Sequence, residues 1–405
     1  MANTFDFVGK IIPCKETDKF KPYDKHTFDS GWMKTTLKFN VACDTNRHLI
    51  EIGVFTPSDI NTATIYTTAQ GEIGDDGKRG QYKNMEVAYA DRNKADILDK
   101  VAPFKKFVVD TELPKRRKSL ETALDRFADG SITDEQIREL GVNTLEECQA
   151  EFEKSNKRKH EFIWEYDFIE YLNKLINNPA IKDYKWHITG SYELEYNEQN
   201  DQWYRKFKPQ RVYRAFDTDE YKSQGEFTVV FGRDAVDDSD YEETKKIHIN
   251  GFIGQYLGKP YKKVCYAPLT FTVNGTVNEK IAQGFKKKFT FPDESECDYR
   301  EIGVVCNILD GAQVVELTED MLTDEQKENI EFGLTTLEDI KKELGKPVYG
   351  DKVTDIVITS LARGYSNGAK DTVYTSEDFG KPKADFADTT NTEDVFEDVD
   401  DDDII

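Results

Sequence analysis

The stretch Trp32-Met-Lys-Thr-Thr-Leu-Lys-Phe-Asn-Val-Ala-Cys43 decides the fold class, because its large apolar side chains recur at every second position. This alternation is typical of a β-strand with one buried face. Asp44-Thr-Asn46 then offers a turn, and Leu49 to Phe55 supplies a returning strand, which predicts a hairpin. The buried face is predicted to carry Met33, Leu37, Phe39, Val41 and Cys43, and the opposite face Trp32, Lys34, Thr36, Lys38 and Asn40.

Both halves of the chain show the same order of sequence patterns. Strand-like alternation comes first, then two helix starts of the S/T-x-x-E/Q or S/T-x-x-D type, and then a closing hairpin. Thr133-Asp-Glu-Gln136 opens a helix in the first half, and Thr323-Asp-Glu-Gln326 repeats it in the second. Phe285–Phe291 is predicted as one of the strands of the second half. Duplication and convergence on good capping chemistry both explain the repeat.

We therefore predict an α+β chain that is mainly β with helical insertions. The first domain covers residues 1–208, with a helical insertion around 115–180, and the second covers 209–384, with a helical segment around 320–345. Residues 385–405 hold ten acidic and no basic residues and end in two isoleucines. This composition predicts a disordered acidic tail.

The overall composition excludes several classes of protein. The 405 residues include 78 Asp or Glu against 55 Lys or Arg, a net charge of -23, and 12% aromatic residues. The aromatic content predicts a globular chain with a real core. No apolar run approaches the ~18–20 residues that a membrane span needs, so no membrane partner is expected. Six cysteines without C-x-x-C spacing and the absence of a signal peptide predict reduced thiols and a cytoplasmic location.

The sequence contains no recognisable catalytic signature. Gly254-Gln-Tyr-Leu-Gly258-Lys259 resembles a phosphate-binding loop but is one residue too short, and Pro260 stands where a Ser or Thr is required. None of the five histidines is close in sequence to another or to a cysteine pair, so zinc has no support. The sequence predicts no catalytic residue, no metal and no cofactor, and the chain is not expected to be an enzyme.

Basic and aromatic residues are interleaved on several predicted strands. The run from Trp203 to Phe216 has five of each and no acidic residue, although the chain as a whole is acidic. Single-stranded nucleic acid requires this combination, because cations follow the phosphates while flat rings stack on the bases. The candidate nucleic-acid-binding residues are Trp32, Lys34, Lys38, Arg79, Tyr82, Lys83, Trp203, Tyr204, Arg205, Lys206, Phe207, Lys208, Arg211, Tyr213 and Arg214.

The same interleaving also arises in strands that bind nothing, because aromatic residues fill cores and lysines cover solvent faces. For Tyr261–Lys263 and Phe285–Phe289 we favour that structural interpretation. Trp32 differs, because it shares its face with Lys34 and Lys38 and is predicted to be exposed. For the run from Trp203 to Phe216 we favour binding, because its charge opposes that of the whole chain.

Taken together, the exposed Trp and Lys of the first hairpin, a helix before a final hairpin, and an acidic end resemble the OB-fold single-stranded-DNA-binding proteins of the replication machinery, especially those of phages. The resemblance implies two OB-fold-like barrels and sequence-tolerant binding of single-stranded DNA. It also implies a tail that inhibits binding and recruits a polymerase, helicase or primase. That tail ends in Asp400, Asp401, Asp402, Asp403, Ile404 and Ile405, where the bacterial family has Pro-Phe after its aspartates.

Two other classes of function remain open. The first is a phage structural or interaction protein, such as a virion component or an acidic mimic of DNA. The second is a metal-dependent nuclease, for which pairs such as Asp237-Asp238 are available. Labelled oligonucleotides separate the three, because the binder retains intact single strands, the mimic ignores them, and the nuclease shortens them when Mg²⁺ is added.

Overall fold

Strand β3 (Trp32–Cys43) occupies the residues that the alternation predicts, and from Thr35 onward its side chains alternate between buried and half-buried. The computed structural model describes residues 3–71, 80–257, 263–276, 278–293, 295–315, 322–344 and 348–379. The chain is mainly β with several helices, as the sequence predicted. Most of the described strands join one large sheet that curls into two barrels.

The first barrel is built around β3. Lys10–Pro13 of the first strand pairs with β3, and Thr4–Lys10 of the same strand pairs with the fourth strand of the barrel. The barrel closes where its third and fifth strands lie side by side. Its strands are β1 (Thr4–Pro13), β3, β4 (Asn46–Pro57), β9 (Lys185–Asn197) and β10 (Gln202–Arg214), with β2 (Tyr23–Thr27) added beside β3.

A long insertion separates β4 from β9. It contains the helices predicted around 115–180, and the capping box of Thr133 with Gln136 is formed. Its last helix packs against the barrel through Phe168, Ile169 and Leu172. The elements are β5 (Thr64–Ala69), β6 (Lys83–Ala88), α1 (Ala95–Lys100), β7 (Phe107–Asp110), α2 (Arg116–Asp129), α3 (Asp134–Leu140), α4 (Leu145–Asn156), β8 (Lys159–Phe162) and α5 (Glu165–Ile176).

The second barrel is closed by strand pairing throughout, with a single residue pair, Thr272 and Val357, between its third and fifth strands. The ladders connect β11, β13, β14, β16 and β15 in that order, and β15 pairs back with β11. The elements are β11 (Lys222–Gly232), β12 (Val236–Asp237), α6 (Tyr241–Thr244), β13 (Lys246–Leu257), β14 (Lys263–Asn274), α7 (Glu279–Lys288), β15 (Tyr299–Val315), α8 (Asp324–Glu331), α9 (Leu337–Leu344), β16 (Val348–Leu361) and β17 (Lys370–Asp371).

In both barrels the strand order is first, second, third, fifth, fourth and back to the first, with a helix between the third and fourth strands. A closed five-stranded barrel of this kind is the OB-fold architecture. The third and fifth strands of the second barrel, β14 and β16, are parallel, as this order requires. The two OB-fold-like barrels predicted by the sequence resemblance are therefore present.

Two details differ from the sequence prediction. Phe285–Phe291 was predicted as a strand, but Phe285 to Lys288 form the last turn of α7, which Asn278 caps by accepting a hydrogen bond from the Ile281 N–H. Pro209, the predicted junction of the domains, lies inside β10 at a register shift. The connection between the barrels is residues 215–221, and the division into two domains remains a prediction.

The barrels share an aromatic core. Phe5 contacts Phe207 with ring centroids 5.3 Å apart, and Tyr192 contacts Phe227 of the second barrel at 5.0 Å. The first strands of the two barrels also pair with each other, with Thr4 opposite Glu226. Within the described ranges, no helix has the length and apolar character needed to cross a membrane.

Candidate nucleic-acid interface

The outer face of the β3–β4 hairpin carries exposed aromatic rings. Trp32 is 49% exposed and Phe55 is 57% exposed, and Phe28, in the β2–β3 turn, is 39% exposed. The rings of Phe28 and Phe55 are stacked with centroids 6.1 Å apart. Lys34 is directly opposite Phe55 in the ladder, and its Nζ lies 5.5 Å from the centre of that ring. We call Phe28, Trp32 and Phe55 the aromatic platform.

The platform is only partly what the sequence predicted. The exposure of Trp32 and its common face with Lys34 and Lys38 are confirmed. Phe28 and Phe55 were missed, because their place beside Trp32 depends on the pairing register. A signal was present for Phe55, which shares its parity in β4 with Glu51 and Gly53 rather than with the buried Ile50 and Ile52.

A strip of charged side chains leads from the platform across the barrel. Lys38 Nζ lies 3.1 Å from a Glu51 carboxylate oxygen, and Lys206 Nζ of β10 lies 3.8 Å from the other oxygen. Lys206 also forms an ion pair with Glu195 of β9. Because Glu51 contacts a lysine on each side, the outer face of β3 and β4 is continuous with that of β10.

Strand geometry divides the basic and aromatic run of β10 between two faces. Tyr204, Lys206 and Lys208 follow one another at every second position on the outside of the barrel. A register shift between Pro209 and Arg211 then keeps Arg211, which is exposed, on that same side. Tyr213, two residues further on, is half-buried.

On the other face of β10, Phe207 requires a correction to the predicted site, whereas Trp203, Arg205 and Arg214 remain predictions. Phe207 is 4% exposed and packs on Phe5 and Phe7, so it belongs to the core and cannot stack on a base. Trp203 is half-buried against Tyr196, with ring centroids 5.1 Å apart. The two arginines on this face contact neighbouring elements. Arg205 forms an ion pair with Asp310 at 3.4 Å, and the Arg214 guanidinium lies 3.8 Å from the centre of the Tyr184 ring.

A groove of about 820 Å³ lies between the two barrels, next to the outer face of β10. Lys206, Lys208 and Arg211 line one side, and Tyr256 of β13, which is 66% exposed, lines the other. The N-terminal part of β1 and Gly190 of β9 also contribute to the lining. The groove therefore contains the cations of the predicted run together with an exposed ring of the second barrel.

Carboxylates compensate most of these cations. Lys208 Nζ lies 2.6 Å from Glu193. Burial alone would lower the pKa of Lys208, but Glu193, Glu165 and Glu195 together raise it above its usual value. Arg211 forms no ion pair with any residue that the structure describes. The half-exposed ion pairs between these lysines and carboxylates contribute only about 0–1 kcal/mol each, so a phosphate can replace the carboxylate partners.

Burial also affects Glu165, another acid whose charge acts on Lys208. It raises the pKa of Glu165, at the start of α5, to about 7, against the opposing charge of Lys208 and with a smaller contribution from Glu193. The side chain is thus partly protonated near neutral pH. Its ionisation changes the charge beside Lys208 in the pH range where binding is normally measured.

A second pair of exposed rings lies next to Gln210, which lines the groove. Tyr82 and Phe104 are each 44% exposed and meet edge to face at 5.1 Å. The Gln210 side chain, next to Arg211, donates a hydrogen bond to the Phe104 carbonyl oxygen. Lys83 is exposed at the start of β6. Of the other predicted residues, Arg79 and Asp400 to Ile405 lie outside the described residues.

No set of three or more His, Cys, Asp or Glu side chains suited to a metal ion occurs among the residues that the structure describes. No protein-family model matches the chain, and no curated protein matches it. Among solved structures, the chain is similar to a deletion mutant of the single-stranded DNA binding protein from Thermus aquaticus. The sequence identity is 5% and the TM-score 0.28, with 80% of this chain and 97% of that chain covered.

Proposed function

We propose that this protein binds single-stranded DNA with little regard to sequence. The observation that carries the proposal is the aromatic platform with Lys34 beside it on the strands of the first OB barrel. The face formed by the second and third strands is the usual oligonucleotide-binding face of this architecture. Exposed rings there stack on bases of any sequence, each stack contributing about 1–3 kcal/mol, while lysines contact the phosphates.

The charge distribution supports a single strand over a duplex as the ligand. The chain carries a net charge of -23, and the cations of the strip and groove lie among carboxylates. A duplex presents its bases only through the grooves and its phosphates on a wide cylinder, which the acidic body repels. A flexible single strand places bases on the platform and phosphates along Lys38, Lys206 and Arg211.

Sequence-tolerant binding suits processes that expose single strands, and we assign this protein to DNA replication, recombination or repair. On the sequence resemblance alone we further place it in the replication machinery of a phage, acting in the host cytoplasm. The aromatic and cationic face needs no catalytic group for this role.

The first test is alanine substitution of the platform. Trp32→Ala and Phe55→Ala each remove one exposed ring, so each is expected to weaken binding of an oligothymidylate by about 1–3 kcal/mol, roughly 5- to 150-fold. The melting temperature is expected to change little, because both rings are outside the core. Fluorescence anisotropy of a labelled oligonucleotide measures the affinity, and thermal unfolding measures the stability.

Two controls make this test specific. Phe332→Ala removes a ring that is 67% exposed at the end of α8 and is expected to leave the affinity unchanged. Phe207→Ala removes a buried ring of β10 and is expected to cost about 3–5 kcal/mol of stability while the folded fraction still binds. Unchanged affinity in both platform variants would rule out the proposed site.

The acidic C-terminal segment supports a second part of the proposal. Its ten negative charges compete with phosphate for the cations of β10, and its Ile404-Ile405 end recruits replication partners. Truncation after Ala384 is then expected to tighten binding of single strands, more at low salt than at high salt, because salt screens the competition. Coincident low-salt affinities of the full and truncated chains would exclude the competition.

A further inference from the structure

The second barrel has the same binding face as the first, but this face is covered. Strands β13 and β14 correspond to β3 and β4, and their outer side presents Phe252, Tyr256 and Tyr266. The segment from Asp371 to Phe379 crosses this side, and we call it the strap. The first barrel has nothing equivalent over its aromatic platform in the described part of the chain.

The strap covers the face with aromatic rings. The Phe379 ring lies 4.4 Å from Tyr299, 4.5 Å from Phe252 and 5.2 Å from Tyr266, measured between centroids. Tyr374 lies 4.8 Å from Tyr266. Phe379 therefore occupies the position in which a base would stack among three rings of the barrel.

The strap also supplies a negative charge to a cation of the same region. Asp371 accepts a hydrogen bond from Arg300 Nε at 2.8 Å. The Arg300 guanidinium lies 5.8 Å from the Phe291 ring, and that of Arg233 lies over the same ring at 4.8 Å. A ring that stacks and an anion that pairs with arginine are the two parts by which a nucleotide is recognised.

The strand pairing of the strap with the barrel is short. Among the described residues it consists of Asp371 opposite Arg300 and an isolated bridge between Phe379 and Tyr266, and Thr372 also donates hydrogen bonds to the Tyr299 carbonyl oxygen. Val373 of the strap is 95% exposed. An open cavity of about 540 Å³ lies beside the strap and is lined by Ser376 together with Arg233, Phe252 and Tyr299, among others. A nucleotide can therefore reach this face through the cavity and compete with the strap for the same rings.

We propose that the outer face of β13 and β14 is a second subsite for single-stranded DNA, and that the strap closes it by taking the place of a nucleotide. This inference rests on the proposed function. A short oligonucleotide occupies the first barrel alone, whereas a longer one displaces the strap and occupies both barrels.

The test opens the strap in a chain whose first site is disabled. The background is Trp32→Ala with Phe55→Ala, and the opening variant adds Tyr374→Ala and Phe379→Ala. Anisotropy is measured with labelled oligothymidylates of about 8 and about 30 nucleotides, lengths that fit one and two OB barrels. Opening is expected to tighten binding of the longer strand by about fivefold or more. When Tyr374→Ala and Phe379→Ala are made without the platform substitutions, the number of nucleotides covered per protein is expected to rise.

Matched variants separate the strap from other effects. Val373→Ala changes an exposed strap residue without ring contacts and is expected to behave like its parent. Truncation after Lys370 removes the strap and the acidic segment, whereas truncation after Ala384 removes only the acidic segment. Only the first is expected to enlarge the covered length, which also provides a second route if the alanine variant folds poorly.

The outcomes distinguish the inference from the proposed function. If the native chain binds single strands but strap opening and truncation after Lys370 leave affinity and covered length unchanged, the second subsite is excluded and the first site stands. If the opened chain binds and the native chain does not, the second subsite is supported and the platform proposal fails. If neither binds, both are overturned.

Discussion

Trp32 and Phe207 are aromatic residues on strands that also carry lysines, and the structure gives them opposite environments. Trp32 is 49% exposed on the platform, whereas Phe207 is 4% exposed in the core. The parity of Trp32 relative to Leu37 and Phe39 predicts its exposure from the sequence alone. Phe207 was misassigned because the run around it was treated as one basic surface, although a strand sends alternate residues to opposite faces.

The acid-base behaviour of Glu165 gives a prediction at this scale. Burial raises the pKa of its carboxyl from 4.5 to about 7 in the folded protein. Between these values only the folded state holds the proton, so the free energy of unfolding falls as the pH rises through this range, by up to about 3 kcal/mol. Glu165→Gln is expected to remove this fall and to be more stable than the native chain at pH 8.

The choice of pH range matters for this measurement. Burial, opposed by Asp310, lowers the pKa of His48 to about 4, so its contribution to stability is lost as the pH falls from 6.5 towards 4. Denaturant unfolding between pH 6.5 and 8.5 therefore isolates the last part of the fall that Glu165 causes, about 1 kcal/mol. Glu86→Gln, the same substitution at an exposed glutamate, serves as the control. Parallel profiles for Glu165→Gln and the native chain would contradict the raised pKa of this carboxyl in the folded protein.

At the scale of elements, the contact between β9 and β10 shapes the groove. Gly190 lies where a Cβ atom would come within 1.9 Å of the Lys208 carbonyl oxygen. The register shift beside it places Arg211 on the outer face. Gly190→Ala therefore forces the two strands apart. We expect a loss of about 1–3 kcal/mol of stability, measured by denaturant unfolding, together with weaker binding through Arg211.

Gly284 in α7 provides the matched control, because a Cβ atom there would meet no other atom within 4 Å. Gly284→Ala is expected to leave binding unchanged and to stabilise the helix by up to about 1 kcal/mol, since alanine has the higher helix propensity. Equal and small effects of the two substitutions on stability and binding would show that the β9–β10 contact is less tight than described.

Elements with strong local signals were predicted well from the sequence. The alternation of β3 gave its bounds, and the capping boxes at Thr133 and Thr323 marked the starts of helices that are present. Phe285-Lys-Lys-Lys-Phe289 was assigned wrongly, because two rings four residues apart fit both a strand of period two and one face of a helix. Asn278 favours the helix, because its side chain caps the N-terminus of α7.

The partners of the site residues could not be predicted, because they lie on strands far apart in sequence. Glu51 joins Lys38 and Lys206 only because β4 lies beside β10. Phe55 reaches the platform through its register with Lys34. Pairing registers follow from the closure of the barrel, and a single sequence gives few clues to that closure.

At the scale of the whole molecule, the two barrels are joined along their length. The side-chain amide of Gln255 in β13 accepts a hydrogen bond from the Leu194 N–H at 2.7 Å and donates one to its carbonyl oxygen. Asn3 donates to the Gly254 carbonyl oxygen at 2.7 Å. These contacts lie at the groove, so the ring of Tyr256 is held opposite the cations of β10. The platform, the strip and the groove thus form one continuous surface.

The most direct test of the central claim compares single-stranded with duplex DNA of equal length over a range of salt concentrations. We predict tighter binding of the single strand, with little dependence on base sequence. The logarithm of the affinity is expected to fall with the logarithm of salt at about -0.7 for each phosphate contact, a slope of roughly -2 to -3 for the cations of the strip and groove. Equal or tighter binding of the duplex, or an affinity independent of salt, would contradict the account.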